Sequence, residues 1–380
     1  MIKKVPWGHI LWLFVLTRLF LVAITYIAYI LFTAPKYSST PVDVVALFTT
    51  WNHWDAANYT RIAEYGYLPF DIAFFPLYPF LIAAFSHLLG SWSYILVGTI
   101  ISNLALLGTL CFLYLLTTEH FGTEIAKRTL LYLCLFPTAF FFFAPYNESL
   151  YLFFCTGCFY ALRRERWWWA GIFGFFAALT RNVGILLLLP YFYELWPRRA
   201  EVLATAKGFI HRTFPMLLIP LGTGVFALYC WRVFGSPLAF VTVQAHAGRH
   251  LAWPWVGVGR SLQSLFFLQP FGSSNQAHIL LNLAATLGFI VLLIVGQRSL
   301  PRVYTLWMAV FMVYILLYPA LEKPDPLLSN QRFVLEMFPA FMTLALVGKR
   351  YPRVHNSLMA LFPGLLAILS IMFLLNRWMV

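Results

Sequence analysis

Charged residues are scarce in this chain of 380 residues: only 10% are Asp, Glu, Lys or Arg, and just 13 residues are acidic. Apolar residues make up 61% of the sequence, and the mean hydropathy is +0.78. Soluble domains have about 45–50% apolar residues, so this composition excludes an ordinary soluble enzyme and indicates a membrane protein. The apolar runs are continuous rather than alternating, which argues against an outer-membrane barrel and predicts membrane-spanning helices.

Cysteine is also sparse, and its placement argues against a metal site. All five cysteines fall inside apolar runs, and Cys155 and Cys158 have no second pair or neighbouring histidine to complete a zinc site. We interpret them as small buried apolar residues. His246 and His250 have helical i, i+4 spacing, but no nearby carboxylate completes a ligand set, so we assign no metal ligands.

The motifs of nucleotide-sugar enzymes are missing as well. The chain has no glycine-rich phosphate loop, no Asp-x-Asp motif and no segment large enough for a nucleotide-sugar domain. A donor that is carried on a lipid fits these absences, whereas a nucleotide sugar from the cytoplasm does not. The net charge of +13 comes from basic residues at loop ends, which we interpret as topology signals and not as a nucleic-acid surface.

The hydropathy pattern predicts about eleven transmembrane helices in a single domain, residues 1–380, with the N-terminus in the cytoplasm. The helices are placed at 9–33, 73–89, 93–117, 128–144, 147–162, 167–195, 213–234, 276–296, 302–321, 332–348 and 357–376. With this count the cytoplasmic loops are 90–92, 145–146, 196–212, 297–301 and 349–356. The outer loops are 34–72, 118–127, 163–166, 235–275 and 322–331.

One loop conflicts with this topology. Residues 163–166 read "RRER" and fall on the outer side, against the rule that basic loops stay in the cytoplasm. Fusing 128–162 into one span would move this loop inside, but it would put the other basic loops outside. We therefore keep eleven helices and expect 128–144 and 147–162 to be short or re-entrant.

Titratable residues concentrate in the first outer loop, in "NHWDAANYTRIAEYG". Asp55, followed eleven residues later by Gly66, predicts a helix with an acidic N-cap and a glycine C-cap. Tyr59, Ile62 and Ala63 form one apolar stripe, which predicts that this helix lies flat on the outer leaflet. On spacing alone, Asp55 is either a helix cap or a functional carboxylate.

Five stretches, in chain order, resemble the PIG-V family of mannosyltransferases. They are "HWDAANYTRIAEYGY", "AFFPLYPFL", "FPTAFFFFAPYNESLYLF", "RRERWWWAGIFGFFAALTRNVGILLLLP" and "NQRFVLEMFP". The resemblance covers most of residues 7–350, and Trp-Asp-Ala, Phe-Phe-Pro-Leu-Tyr-Pro and Tyr-Asn-Glu-Ser are its most specific motifs. It implies a GT-C glycosyltransferase: a polytopic all-α bundle, with short interfacial helices in the first outer loop and a lipid-phosphate sugar as donor.

The resemblance also implies roles for individual residues. The acidic residue that the family carries in its first outer loop matches Asp55, which we predict to be the general base for an acceptor hydroxyl at the extracytoplasmic face. His53 and Trp54 flank it as candidate substrate-binding residues. Outer loops 34–72 and 235–275 are expected to form the active-site face.

A cation is needed to stabilise the phosphate that leaves. Arg332, at the outer mouth of a helix, is our candidate because its guanidinium fork matches phosphate oxygens; interfacial snorkelling is the alternative. Arg61 is a second candidate, or else a partner of Glu64 on the surface helix. A divalent cation remains an alternative to these arginines, and we assign no cofactor.

Two further charged residues lie in or beside apolar segments, where an ionised group costs about 2.5–3.5 kcal/mol on insertion scales. Glu148 is a candidate substrate-binding residue, with helix-end solvation as the alternative. The helix count places it near the inner face, far from Asp55. Arg181 lies in the middle of a predicted helix, where its charge needs a partner, and Glu148 is the partner that we expect.

The sequence therefore predicts transfer of a hexose, with mannose implied by the family, from a polyprenyl-phosphate sugar to a hydroxyl of a lipid or glycan acceptor. A rival interpretation is a transporter or lipid flippase, which the proline-broken region 128–162 and Arg181 would suit. The chain shows no internal repeat, and its acids gather at one outer edge, which favours the enzyme. A third interpretation keeps the GT-C fold with another sugar, or with no catalytic activity.

Overall fold

The computed structural model describes residues 5–33, 42–90 and 93–377. Within these ranges the regular structure is helical, and one isolated antiparallel bridge joins Arg249 to Ala320. The all-α prediction is therefore confirmed for the described residues. The start of the predicted outer loop 34–72, and most of the predicted loop 90–92, lie outside them.

The α-helices of the described residues are named in chain order. They are α1 (Trp7–Ala28), α2 (Val44–Thr49), α3 (Asp55–Tyr65), α4 (Leu77–Leu88), α5 (Tyr94–Leu135), α6 (Glu148–Arg163), α7 (Trp167–Thr180), α8 (Leu188–Leu195), α9 (Arg199–Ala204), α10 (Ala206–Thr213), α11 (Leu218–Phe234), α12 (Ala239–Thr242), α13 (Pro254–Gln263), α14 (Ser274–Gly296), α15 (Arg302–Leu317), α16 (Asn330–Phe333), α17 (Phe338–Arg350) and α18 (Pro352–Leu374). Short 3₁₀ segments are Pro69–Ala73, Ala139–Phe142, Asn182–Leu187, Trp196–Arg198, Phe214–Leu217, Val243–Ala247 and Val334–Glu336, and π turns are Tyr29–Thr33 and Ser264–Leu268.

Several of these helices are long and apolar enough to cross a membrane. Among the described residues there are five: Trp7–Thr33, Tyr94–Leu135, Ala206–Phe234, Ser274–Gly296 and Pro352–Leu374. Other apolar helices are shorter; α4 has 12 residues and α7 has 14. At 1.5 Å per residue they are about 18 and 21 Å long, less than the roughly 30 Å hydrocarbon core. The chain thus fits a multi-pass membrane protein, but the count of about eleven spans is not confirmed.

The packing divides into two compact units. The first unit is built from the described residues of Met1–Leu68, Pro76–Thr156 and Leu344–Met379. The second unit is built from Pro69–Phe75 and Gly157–Thr343. Each contains large side chains that are fully buried, for example Trp51 in the first and Trp307 in the second.

In the first unit, the 42 residues of α5 form two helical stretches that meet at a kink at Gly122, whose φ of 84° and ψ of 174° are not helical. A positive φ favours glycine, which lacks the Cβ atom that would clash there. The predicted outer loop 118–127 is therefore largely helical. After α5 ends at Leu135, residues 136–147 contain only a short 3₁₀ segment and are almost entirely buried. The predicted helix 128–144 is thus wrong in its second half, and whether this buried segment is re-entrant stays a prediction.

Two contacts correct the predicted faces of this unit. Lys349 Nζ lies 2.8 Å from Glu124 Oε2, and Arg128 donates to the carbonyl oxygen of Gly348 over 2.9 Å. Loops 118–127 and 349–356 therefore lie at the same end, although the helix count put them on opposite sides.

The helix count treated α4 as a full span, although its 12 residues are fewer than a single crossing needs. Tyr78, in its first turn, donates to the carbonyl oxygen of Gly98 over 2.9 Å and bonds to Ser102 over 2.7 Å. The neighbouring Asn103 accepts a bond from Arg18, in the middle of the first predicted span. The start of α4 and the middle of α1 are therefore bonded to neighbouring residues of α5.

In the second unit, the predicted helix 167–195 is a hairpin. The helix α7 ends at Thr180, and Arg181 has extended backbone angles of −150° and 146°. The chain then returns through a 3₁₀ segment and α8, so that the rings of Trp167 and Tyr191 lie 5.5 Å apart. Gly184 lies so close to the backbone of Ala177 that no side chain would fit there. This turn explains why one long span was wrongly predicted.

The hairpin also resolves the conflict over the basic loop 163–166. Arg198 Nη2 lies 3.0 Å from Glu165 Oε1, and Arg163 Nη1 lies 4.0 Å from Glu194 Oε1. Residues 163–166 and the basic stretch 196–212 therefore lie at the same end of the second unit, not on opposite faces as predicted.

Candidate functional site

The candidate base Asp55 is the first residue of α3 and is half-buried. Trp54, and not Asp55, occupies the N-cap position, so the predicted acidic cap is wrong. The predicted glycine terminus is confirmed, because the helix ends at Gly66, where φ is 84°. A carboxylate in the first helical turn still interacts favourably with the helix dipole.

The backbone just before Asp55 is strained. Trp54 has φ 50° and ψ −117°, a combination that residues with a side chain rarely adopt. Aromatic packing holds it: the Trp54 ring lies 5.0 Å from that of Phe373, and the His53 and Trp51 rings lie 6.0 and 5.4 Å from the same phenylalanine. Strain of this kind costs of order 1–3 kcal/mol and clusters at functional sites.

The apolar stripe of α3 does not face the membrane as predicted. Tyr59, Ile62 and Ala63 are 4%, 5% and 8% exposed. The ring of Tyr59 packs edge-on against Tyr78 of α4, 5.0 Å away. The stripe therefore anchors α3 to the first unit, which gives Asp55 a fixed support.

The buried segment after α5 meets the Asp55 segment. The hydroxyl of Tyr146 donates to the carbonyl oxygen of His53 over 3.2 Å. Ser102 in turn donates to the carbonyl oxygen of Tyr146 over 2.7 Å. Glu148 is the first residue of α6 and only 1% exposed. Tyr146 and His53 lie two residues before Glu148 and Asp55, so this bond does not fit the large separation that was predicted for the two acids. The membrane face at which Glu148 lies stays a prediction.

Sequence reasoning missed Arg18, which lies in the middle of the first membrane helix. It is 8% exposed and donates to Asn103 Oδ1 over 3.2 Å, with its guanidinium 5.5 Å from the Phe14 ring and 5.9 Å from the Phe143 ring. Among the described residues it has no carboxylate partner. Asn103 Nδ2 donates to the carbonyl oxygen of Phe143 over 3.1 Å, which ties the buried segment 136–147 to α5 and α1. A lone arginine in an apolar run was the available signal.

Two more candidates lie in this part of the first unit. Burial lowers the pKa of His53, which keeps its imidazole neutral near pH 7. Arg61 is half-buried and donates to Asn58 Oδ1 over 2.8 Å. His53 and Trp54 thus accompany Asp55, while Arg61 lies on the same short helix.

In the second unit, Arg332 belongs to a group of three arginines. The guanidinium carbons of Arg181, Arg249 and Arg332 lie 5.4, 5.4 and 5.2 Å from the centre of the Phe333 ring. Arg332 is only 8% exposed, which argues against the snorkelling alternative. We call these three side chains the arginine cluster. Arg249 was not predicted from the sequence.

Two arginines of the cluster form further polar contacts that fix their positions. Arg181 Nη1 lies 2.8 Å from Oε1 of Glu336, a carboxylate with no exposed surface and a partner that the sequence did not predict. Arg249 donates to the carbonyl oxygens of Tyr318 and Leu328 over 3.1 and 2.7 Å. These bonds orient the guanidinium planes.

A buried amide network holds the turn before Arg332. Asp325 accepts bonds from Asn282 Nδ2 over 2.7 Å and from the Leu327 amide over 3.0 Å. Asn282 Oδ1 accepts from the Gln331 amide over 2.9 Å. Burial raises the pKa of Asp325, although these bonds oppose the shift. The sequence held no period or motif that marked Asn282 or Asp325.

Of the two histidines that were considered as a metal site, only His250 has a described side chain. His250 Nε2 lies 2.7 Å from Glu322 Oε1 at the surface, beside the bridge between Arg249 and Ala320. The side chain of His246 lies outside the described residues. His250 therefore fastens the two loops of the predicted outer face, 235–275 and 322–331, to each other.

Asp55 and the arginine cluster, each considered separately, are suited to different chemical tasks. A half-buried carboxylate on a rigid support can accept a proton from a hydroxyl. Three guanidinium groups around one aromatic ring can bind an anion with several oxygens, because each offers N–H donors in a fixed plane.

Comparison with known proteins gives a family and one relative. The sequence model of the mannosyltransferase (PIG-V) family matches residues 9–197. GPI alpha-1,6-mannosyltransferase 2 of Rattus norvegicus is 31% identical over 170 residues, which is 41% of this chain and 34% of that protein. The chain therefore matches about a third of the length of this relative.

Solved structures with a similar course of the chain include the oligosaccharyltransferase of Archaeoglobus fulgidus. A crystal structure tethered with an acceptor peptide has a TM-score of 0.49 at 12% identity and covers 99% of this chain and 56% of that one. A complex of the same enzyme with an inhibitory peptide and a dolichol-phosphate has a TM-score of 0.43 at 13% identity, covering 97% and 56%.

Proposed function

Because residues 9–197 match the model of the PIG-V family of mannosyltransferases, we propose that this chain transfers a hexose, with mannose as the first candidate. The donor is a polyprenyl-phosphate sugar and the acceptor is a hydroxyl of a lipid or glycan. The fold is of the GT-C type, as the resemblance implies.

The observation that carries this proposal is the arginine cluster. A sugar carried on a lipid phosphate leaves behind a phosphate group, whose negative charge grows as the glycosidic bond breaks. Guanidinium groups in a poorly hydrated site stabilise such charge strongly. Arg332 is the central ligand in this proposal, and Arg181 and Arg249, each held by a second contact, complete the group.

Asp55 is the general base in this reaction. The acceptor oxygen forms a bond to the anomeric carbon, the bond from that carbon to the phosphate oxygen breaks, and Asp55 takes the hydroxyl proton. A single displacement of this kind inverts the anomeric configuration. His53, Trp54 and Glu148 are candidate substrate-binding residues beside it, and Arg61 is a candidate on the same helix. The rigid support of α3 favours such a role, because a catalytic group must keep its position.

We place the reaction on the extracytoplasmic side. In the second unit, Arg163, Arg164 and Arg166 lie with Arg198 at one end, while α7 runs from there to Arg181 in the cluster. Basic loops favour the cytoplasm, so the positive-inside rule supports an extracytoplasmic position for the cluster. Labelling of single cysteines introduced at residues 165 and 250 tests this side.

Asp55→Asn tests the base. General-base catalysis contributes about 10²–10⁴-fold, so we expect transfer from a polyprenyl-phosphate mannose to fall by at least about 10²-fold in purified protein. The matched control is Asp43→Asn: Asp43 is a true N-cap, whose side chain accepts a bond from the Val45 amide over 2.9 Å. That variant should keep near-normal transfer, because Asn also caps helices well.

The outcomes of this experiment separate the interpretations. Normal transfer by a folded Asp55→Asn protein would remove the base and leave only a structural role for Asp55. If the unaltered protein transfers no sugar from any polyprenyl-phosphate donor but moves a lipid phosphate across liposome membranes, the transporter interpretation replaces the enzyme.

A further inference from the structure

The basic end of the second unit carries more positive charge than its ion pairs neutralise. Residues 163–166 and 194–214 meet at this end and contain seven arginines or lysines and three glutamates. Each glutamate forms an ion pair with an arginine of the same end, as Glu201 Oε2 does with Arg212 Nη1 over 2.6 Å. With every carboxylate matched, an excess of four positive charges is left.

Two of the basic side chains in excess are exposed on the short helices of this end. Lys207 lies in the first turn of α10, and Arg199 is the first residue of α9. Arg199 donates to the carbonyl oxygen of Trp196 over 3.2 Å, and its guanidinium carbon lies 5.0 Å from the centre of the Trp196 ring. These contacts hold one cation beside an aromatic ring that is itself 55% exposed.

The helix α10 separates apolar from basic side chains. At about 3.6 residues per turn, Phe209 and Ile210 point to one side of the helix, and Lys207 and Arg212 point to the other. Phe209 and Ile210 are 49% and 56% exposed, and Leu203 of the preceding α9 is 71% exposed. The apolar side of α10 is therefore open, although its opposite side is basic.

The position of α10 in the chain fits the boundary of the membrane. Ala206–Phe234 is one of the segments long and apolar enough to cross. Within it, α11 has 17 residues and the 3₁₀ segment Phe214–Leu217 has four. At about 1.5 and 2.0 Å per residue these two parts span roughly 33 Å, close to the roughly 30 Å hydrocarbon core. They can cross the core without α10, which is left for the headgroup region, where tryptophans such as Trp196 concentrate.

We propose that α9 and α10 bind anionic phospholipids, with Phe209 and Ile210 among the acyl chains and Arg199 and Lys207 at the headgroup phosphates. We call these four residues the lipid-facing surface. A helix with one apolar and one basic side lies in the plane of the interface in this way. The excess positive charge is complementary to headgroups with a net negative charge, and not to zwitterionic ones. The inference goes beyond the proposed function and requires no sugar transfer.

The measurement is the binding of two phospholipids with identical acyl chains to the full-length protein in detergent, by native mass spectrometry. One is phosphatidylglycerol, which is anionic, and the other is phosphatidylcholine, which is zwitterionic. A basic residue near an anionic surface contributes about fivefold in affinity, so we expect phosphatidylglycerol to bind at least about tenfold more tightly. The double variant Arg199→Gln, Lys207→Gln should remove most of this preference. The charge-conserving double variant Arg199→Lys, Lys207→Arg should keep it.

The matched control removes the same charge elsewhere in the second unit. Arg232, in the last turn of α11, is exposed, and its guanidinium carbon lies 5.7 Å from the centre of the Trp231 ring, much as Arg199 lies against Trp196. Arg260 of α13 is also exposed. Arg232→Gln, Arg260→Gln should therefore keep the preference for phosphatidylglycerol. An equal loss in both double variants would show a response to net charge alone and would overturn the inference, as would equal binding of the two lipids by the unaltered protein.

A second double variant tests the apolar half of the lipid-facing surface. Phe209→Ser, Ile210→Ser should weaken the binding of both lipids by about tenfold and leave their ratio unchanged, because the apolar side chains contact acyl chains and not headgroups. Unchanged binding of both lipids would overturn this placement of α10. The same spectra report the oligomeric state. A dimer that forms without phosphatidylglycerol and that Arg199→Gln, Lys207→Gln abolishes would assign this surface to a second copy of the chain, and the lipid inference would fail.

Discussion

The two units hold their candidate residues in place by different means. In the first unit, Asp55 follows a strained Trp54, and neutral bonds such as Tyr146 to the His53 carbonyl, together with aromatic rings, support the segment. In the second unit, charged groups support the arginine cluster. Glu336 forms an ion pair with Arg181, and Asp325 accepts a bond from the Leu327 amide in the turn that precedes Arg332.

This difference follows from the charge of the residues that are held. Several guanidinium groups repel one another in a medium of low dielectric constant, so the second unit needs buried carboxylates and oriented carbonyls around them. A single carboxylate needs only a rigid backbone. We therefore expect the removal of a polar group to destabilise the second unit more than the first.

The largest effect should come from breaking the buried ion pair of the second unit. Arg181→Ala leaves Glu336 as a buried carboxylate without this cation, so we expect the free energy of unfolding to fall by about 3–5 kcal/mol, measured by denaturant titration in detergent. The double variant Arg181→Met, Glu336→Met should recover most of this loss, because two apolar side chains replace the pair. A double variant less stable than the single one would refute this explanation.

A smaller pair of effects compares one bond from each unit. Asn282→Ala removes a donor to the Asp325 carboxylate, and hydrogen bonds to charged groups are worth about 1.5–3 kcal/mol. Tyr146→Phe removes only a neutral bond to the His53 carbonyl, worth about 0.5–1.5 kcal/mol. Both are measured as changes in the free energy of unfolding. If Tyr146→Phe proves the more damaging, the contrast between the units is wrong.

The smallest effect is a dependence of stability on pH, with opposite signs in the two units. The pKa of His53 is lowered by burial, so stability is full above pH 6.5 and decreases as the pH falls, because the unfolded chain takes up the proton first. The pKa of Asp325 is raised, so its contribution is full below pH 3.8 and is lost as the pH rises through the folded pKa.

Single variants show how much of the pH dependence of stability comes from His53 and how much from Asp325. Between pH 7 and pH 5, His53→Gln should lose less stability than the unaltered protein. Over the acidic range, Asp325→Asn should lose less stability as the pH rises. Melting curves in a lipid-like detergent measure both trends, and parallel curves for variant and unaltered protein would contradict them.

Local patterns in the sequence were informative where the chain is locally regular. The end of α3 at Gly66 and the positions of most long apolar helices follow from composition and spacing. Turns that depend on distant contacts were not predictable in this way. The return of the chain at Arg181 is one case, since its apolar neighbours continue the pattern of a single span. The bond that ties Tyr78 at the start of α4 to the Gly98 carbonyl is another.

The candidate site residues also differ in whether a local sequence pattern identified them. Arg332 and Asp55 were identified from motifs, but Arg249, Asn282 and Asp325 carry no local signal, because their roles arise from bonds to segments that are 43 to 79 residues away in the chain.

By itself, the amino-acid sequence determined that this is a helical membrane protein with a PIG-V-like set of motifs, because apolar content and short motifs are properties of neighbouring residues. Only the tertiary structure decided which apolar segments turn back before they cross, which loops share an end, and which arginines meet at Phe333. These features depend on contacts between residues that are far apart in the chain. One buried ion pair or one backbone turn then determines the path of a segment more strongly than the hydropathy of that segment does.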